Sequence, residues 1–179
     1  MTDYDAVVYD LDGTLVDLTV DWNAVAYDVL EVYETAAIDP PSRDLWDLLA
    51  AASDVDLAPE VEAAIADHER EGARTSRRLP HAEEILACEV PAGVCSLNCE
   101  AACRIALEHH GLIEAVGAVV GRDTVATQKP DPEPLLETVR GLSATPERTL
   151  FVGDSRRDER TAERAGTDFE YVDGGPSRV

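Results

Sequence analysis

The sequence predicts an α/β fold: a doubly wound, mainly parallel sheet that carries a small all-helical insert after its first strand. Three observations support this. Short apolar runs recur along the 179 residues, segments with helical periodicity separate most of them, and one long stretch near the N-terminus is helical without any strand. Runs of four or so apolar residues suit strands buried on both faces, as in a parallel sheet. Strands alternating with helices suit a doubly wound architecture.

The first run, Ala6-Val7-Val8-Tyr9, stops at Asp10. Residues 18–79 then break the alternation. Trp22, Ala26, Val29 and Tyr33 fall on one helical face, and Leu45, Leu48, Leu49 and Ala52 on another after Ser42 as the expected N-cap. Pro59 opens a third helix with Val61, Ile65 and His68, and breaks fall at Pro40-Pro41 and at 53–58. Helical spacing predicts that the Trp and Tyr residues are core of this insert. The chain returns to the main pattern with a helix from His81 to Cys88 and a strand at Ala92-Gly93-Val94-Cys95. A helix from Glu100 to His110 closes on Gly111, and a third strand follows at Ala118-Val119-Val120. A helix from Pro132 to Arg140 should end at Gly141, and Thr149-Leu150-Phe151-Val152 forms the fourth strand. The last pair is a helix from Arg157 to Ala165, stopped by Gly166, and a strand at Phe169-Glu170-Tyr171-Val172. The expected division is therefore a core of residues 1–17 and 80–179 and a helical cap of residues 18–79.

Composition narrows the partners. Asp and Glu number 37 against 15 Lys and Arg, a formal net charge of −22 spread along the chain. Such a surface repels nucleic acid and acidic lipid, so neither is an expected partner. It fits a salt-rich cytoplasm, because at ~1 M salt the Debye length falls to about 3 Å and self-repulsion is screened. The acidic start Met1-Thr2-Asp3-Tyr4-Asp5 is unlike a signal peptide and no apolar run reaches membrane-spanning length, so a cytoplasmic location is expected. Cys88, Cys95, Cys99 and Cys103 lie close together but lack CxxC-type spacing, and buried free thiols are the expectation.

Ligands of open α/β sheets bind beyond the carboxyl ends of the strands. Asp10 and Asp12 follow the first strand, Ser96 the second, Lys129 the third, and Asp154 and Asp158 the fourth. Asp-x-Asp alone says little here, since Asp3-Tyr4-Asp5 and Asp54-Val55-Asp56 show it too. Lys129 says more, being the one lysine beside fourteen arginines. A compact ammonium serves where a single oxygen must be held beside a carboxylate, which the planar guanidinium fork does less well.

The conjunction of Asp10-Leu11-Asp12-Gly13-Thr14, Ser96, Lys129-Pro130 and Gly153-Asp154-Ser155-Arg156-Arg157-Asp158 resembles the haloacid dehalogenase superfamily, in its phosphoglycolate-phosphatase-like branch. The resemblance covers nearly the whole chain. It implies a sheet of strand order 3-2-1-4-5 and an Mg²⁺-dependent phosphatase acting on a small phosphorylated metabolite. Asp10 would be the nucleophile that forms an aspartyl-phosphate, and Asp12 the general acid and base. Thr14 would brace the turn, Ser96 donate to a phosphoryl oxygen, and Lys129 neutralise Asp10 and the developing charge. Asp10, the Asp12 carbonyl and Asp154 would ligate the metal, with Asp158 in support. Asn98, Arg74 and Arg77 are candidate substrate contacts.

Asp12 argues against a dehalogenase, and the lysine-free cap against the Schiff-base chemistry of a phosphonoacetaldehyde hydrolase. A sugar-phosphate mutase of the β-phosphoglucomutase type shares every core motif and stays open. A non-catalytic phosphate-binding module is the rival from another class. The three cap helices, where relatives often have four, and Leu79-Pro80-His81-Ala82 in place of Pro-Gly are the main departures from the family pattern.

Overall fold

The computed structural model describes residues 4–175. Its main sheet has five parallel strands: β1 (Ala6–Tyr9), β4 (Ala92–Cys95), β5 (Ala118–Val120), β6 (Thr149–Gly153) and β7 (Asp168–Tyr171), in the order β5-β4-β1-β6-β7. Counted along the sheet's own strands, that is the expected 3-2-1-4-5. β1 sits at the centre, with Val8 paired to Gly93 on one side and Phe151 on the other. All four of its residues are buried, so its apolar run is explained by contact on both faces.

Helices cover both faces. α5 (Glu100–His109) packs into one apolar cluster with Leu11, Leu15, Val94 and Leu107, and α6 (Glu133–Gly141) and α7 (Arg156–Ala165) into a second with Val8, Leu135, Phe151 and Ala162. α4 (Ala82–Leu86) is shorter than the expected 81–88, because the chain turns at once toward β4. α6 runs through Gly141 rather than ending there. A Cβ at that position would lie 2.9 Å from that of Ala118, so the glycine serves close packing on β5, and Ser143 supplies the left-handed turn (φ 56°). β7 also departs from expectation: it starts one residue earlier and alternates exposed with half-buried residues. As an edge strand with β6 as its one neighbour, it has less to bury.

Between β1 and β4 lie α1 (Trp22–Thr35), α2 (Leu45–Ala52) and α3 (Ala58–Arg74). They enclose Val25, Val29, Tyr33, Leu48, Val61 and Ile65, and the Tyr33 hydroxyl donates to the Leu48 carbonyl at 2.7 Å. The N-cap of α2 is Asp44, whose carboxylate accepts from Trp46 N and Asp47 N, while the expected cap Ser42 accepts from Asp44 N. A two-stranded antiparallel ribbon, β2 (Val16–Asp17) with β3 (Arg77–Arg78), carries the chain out to these helices and back. No helix among the described residues is long and apolar enough to cross a membrane.

Candidate active site

The carboxyl ends of β1, β4 and β6 and the loop after β5 deliver their side chains to one cavity of about 420 Å³. Asp10 ends β1, with its N–H held by the Val152 carbonyl at 2.8 Å. The loop that follows folds back on Leu11, whose carbonyl accepts from Leu15 N and Val16 N at 2.9 and 3.1 Å. Gly13 makes this turn possible twice over. Its φ is +80°, and a Cβ there would fall 2.4 Å from Asp154 Oδ2. Glycine thus lets the β1 loop and the β6 carboxylate share one site.

Lys129 is the hub. Its Nζ donates to Asp10 Oδ1 at 3.0 Å, to Asp158 Oδ1 at 2.5 Å and to the Cys95 carbonyl at 3.2 Å, with 4% of the residue exposed. Asp158 is 1% exposed and closes a capping box with Ser155, so it is the opposite of a solvated helix acid. Carboxylate oxygens of Asp10, Asp154 and Asp158 lie within 4.8 Å of one another. Burial pushes the Asp10 carboxyl well above the usual range, and the Lys129 ammonium pulls it back only in part. Burial works against the charge of Lys129 too, but Asp10 and Asp158 outweigh it and hold the ammonium charged. Asp12 is half-buried, accepts from Leu18 N at 2.8 Å, and is pushed up to about 6, chiefly by burial.

Ser96 and Asn98 also line the cavity. The Ser96 hydroxyl accepts from Asn98 N and donates to Asn98 Oδ1, both at 3.1 Å, so it closes a turn instead of capping α5. Asn98 in turn donates to Glu69 on α3. Thr14 is fully buried, yet its hydroxyl has no hydrogen-bond partner among the described residues, so it does not brace the turn as expected. Arg74 pairs with Glu71 and Arg77 with Asp17, both outside the cavity, and the structure does not bring either of these expected substrate contacts to it. Cys95, Cys99 and Cys103 are buried thiols, the first two pushed up to about 12 by burial, and no cysteine joins a metal-ligand cluster among the described residues.

The structure adds residues that sequence reasoning missed. Trp22 and Trp46 line the cavity instead of the insert's core, and Trp22 is 39% exposed. The reason is that Val25, Val29 and Tyr33 take the buried face of α1, which leaves Trp22 at the helix start, beyond that packing. Arg157 also reaches the cavity, its guanidinium 5.5 Å from the Trp46 ring centroid. Fully buried Glu69 receives two bonds from Arg122, at 2.6 and 3.0 Å, and one from Cys99 N at 2.9 Å. A signal for the tryptophans was present: the chain has just two, both in the insert.

The profile of haloacid dehalogenase-like hydrolases matches residues 7–172. The chain belongs to that family. Among haloacid dehalogenase-like relatives, a phosphoglycolate phosphatase of Mesorhizobium japonicum is 32% identical over 93% of this chain and 84% of its own length. An N-acetylmuramic acid 6-phosphate phosphatase of Pseudomonas aeruginosa is 33% identical over 90% and 78%. A crystal structure of a haloacid dehalogenase-superfamily hydrolase from Geobacter sulfurreducens superposes with a TM-score of 0.63 at 28% identity, covering 93% of this chain and 88% of that one.

The acidic cluster of this haloacid dehalogenase-like chain suits a divalent cation. Its donors are hard carboxylate oxygens, the type Mg²⁺ and Ca²⁺ take. Asp10, Asp154 and Asp158 bring three carboxylates together beside a single ammonium, and the absent Cβ of Gly13 leaves Asp154 room to approach. A further positive charge would relieve the repulsion that burial makes costly.

Proposed function

We propose that this protein is an Mg²⁺-dependent phosphatase that hydrolyses small phosphomonoesters, phosphoglycolate among them, through an aspartyl-phosphate on Asp10. The observation that carries the reading is the Lys129 ammonium shared between Asp10 and Asp158, with Asp154 within 4.8 Å. The names of the relatives from Mesorhizobium japonicum and Pseudomonas aeruginosa support it.

Asp10 Oδ2, the oxygen that Lys129 leaves free, attacks phosphorus, and the ester oxygen departs with the bond's electron pair. Asp12, pushed up to about 6, holds a proton more readily than an ordinary carboxyl and donates it to that oxygen. The same group then takes a proton from the water that releases phosphate. Lys129 favours the ionised form of Asp10 against the burial that opposes it, and faces the oxygens on which charge develops. The Ser96 hydroxyl, now turned to Asn98, is placed to donate to a phosphoryl oxygen once that turn opens. Asp10, the Asp12 carbonyl and Asp154, with Asp158 in support, would hold Mg²⁺, which would supply positive charge against the phosphoryl dianion. Residues 18–79 act as the cap, shielding the intermediate from solvent.

The test is hydrolysis of p-nitrophenyl phosphate with Mg²⁺ and with EDTA. Activity should require the metal and vanish in Asp10→Asn. An Asp10→Asn protein as active as the parent removes the nucleophile assignment. Analysis for transferred phosphoryl groups, with sugar phosphates as substrates, separates hydrolysis from the mutase reaction.

A further inference from the structure

The two tryptophans, 24 positions apart in sequence, line the same cavity with ring centroids 6.4 Å apart. Beside them stands Arg157, one of two cations that face the cavity, the other being Lys129. Lys129 is committed to Asp10 and Asp158. Arg157 is not committed. Arg70, Arg77, Arg122, Arg140 and Arg148 each pair with an acid, whereas among the described residues the Arg157 guanidinium has no carboxylate partner and rests on the Trp46 ring. A guanidinium held over an aromatic face keeps its in-plane N–H donors free for a planar, two-oxygen acceptor. What sets Arg157 apart from the other described arginines is its place on the wall of this cavity.

We propose that Trp22, Trp46 and Arg157 form the subsite for the leaving group, and that the substrates are phosphorylated carboxylic acids. Arg157 pairs with the carboxylate, and the two indoles hold the carbon skeleton. The proposal rests on the phosphatase reading of the same cavity. Charge decides between a carboxylate and a second phosphate. Asp10, Asp12, Asp44, Glu69, Asp154 and Asp158 all line the cavity, and one guanidinium balances one monoanion. A second phosphate dianion would stay half compensated amid those acids. Size points beyond two carbons. A volume of about 420 Å³ lies within the ~300–1,000 Å³ typical of sites for drug-sized ligands, and phosphoglycolate is far smaller.

The test compares 3-phosphoglycerate with glycerol 3-phosphate, two three-carbon esters that differ in the carboxylate. The ratio of their kcat/KM values should favour the acid in the parent and fall about tenfold or more in Arg157→Gln, as loss of a charge-assisted hydrogen bond requires. Arg157→Lys should recover part of the ratio. A ratio that stays within twofold in Arg157→Gln overturns the subsite. So does a stronger preference for fructose 1,6-bisphosphate that the same substitution removes, since that assigns Arg157 to a second phosphate. Tryptophan emission gives a readout independent of turnover, because both fluorophores sit in this cavity. In Asp10→Asn, 3-phosphoglycerate should change the emission at lower concentration than glycerol 3-phosphate, and adding Arg157→Gln should erase the difference. That result, with no ester hydrolysed by the parent, refutes the phosphatase and keeps the subsite. Hydrolysis with no carboxylate-dependent emission change refutes the subsite alone.

Discussion

Asp12 sets a stability cost against a chemical use. Its folded pKa, about 6, lies above the ordinary 3.8, mainly through burial. Between those values the folded chain holds more proton than the unfolded chain, so stability falls as pH rises through that window. Below the window both states are protonated and the cost is absent; above it the cost is complete. Asp12→Asn keeps an Oδ1 to accept from Leu18 N but cannot ionise. It should stabilise the metal-free protein by on the order of 1 kcal/mol at pH 7.5 and not at all near pH 3.5. It should also lower kcat by about 10²–10⁴-fold, the usual worth of general acid–base catalysis. Urea unfolding in EDTA at the two pH values, beside steady-state kinetics with Mg²⁺, measures both. An Asp12→Asn protein no more stable at pH 7.5 than the parent refutes the burial argument. Asp10 and Asp154 were legible because each stands just past an apolar run, and Asp158 because it completes the Gly153-to-Asp158 pattern that joins them in the family resemblance. The rarity of tryptophan marked Trp22, but its place in the cavity was not legible. Helical spacing put it on a buried face, and nothing local says that α1 starts just outside the helical core.

At the scale of elements, an ionic cluster centred on Arg122 joins α3 to the loops of the main sheet. Arg122, in the loop after β5, reaches Glu69 and Glu62 of α3, and Glu69 also accepts from Asn98 and Cys99 behind β4. α3 thus grips the turn that holds Ser96. Arg122→Ala leaves the fully buried Glu69 carboxylate without its cation, which should cost about 3–5 kcal/mol. Replacing both partners by apolar residues, Glu69→Leu with Arg122→Met, should cost less than Arg122→Ala alone, since no fully buried charge is then left uncompensated and Glu62 keeps access to water. Guanidinium unfolding of the three proteins decides. If the double variant is the least stable, the contacts to Asn98 and Cys99 outweigh the ion pair. Pairing across 53 positions is invisible in a single acidic sequence, where every arginine has many acids to choose from. The β2–β3 ribbon was hidden for a different reason: two-residue strands carry no periodicity. The five parallel strands were readable because burial on both faces leaves a continuous apolar run, and the one that blurred, β7, is an edge.

For the molecule as a whole, charge is the dominant unbalanced quantity. With 37 acids and 15 bases, one-to-one pairing of every base still leaves 22 acids facing other acids. Several visible pairs, such as Arg148 with Asp5 and Arg140 with Glu133 and Glu137, are exposed. Exposed pairs are worth about 0–1 kcal/mol each and weaken in salt. Salt therefore acts in two opposed directions, weakening the few attractions and the many repulsions. The excess of repulsions should win, so the melting temperature should climb with KCl into the molar range, where the Debye length falls to about 3 Å. Divalent binding should add a separate step. A few millimolar MgCl₂ should raise the melting temperature at fixed high KCl, where general screening is already complete, and Asp154→Asn should abolish that step while keeping the KCl slope. Thermal melts of parent and variant across both salts resolve the two effects. A melting temperature that stays flat or falls up to molar KCl shows that the acids are spaced too widely to repel, and with it goes the argument for a salt-rich setting.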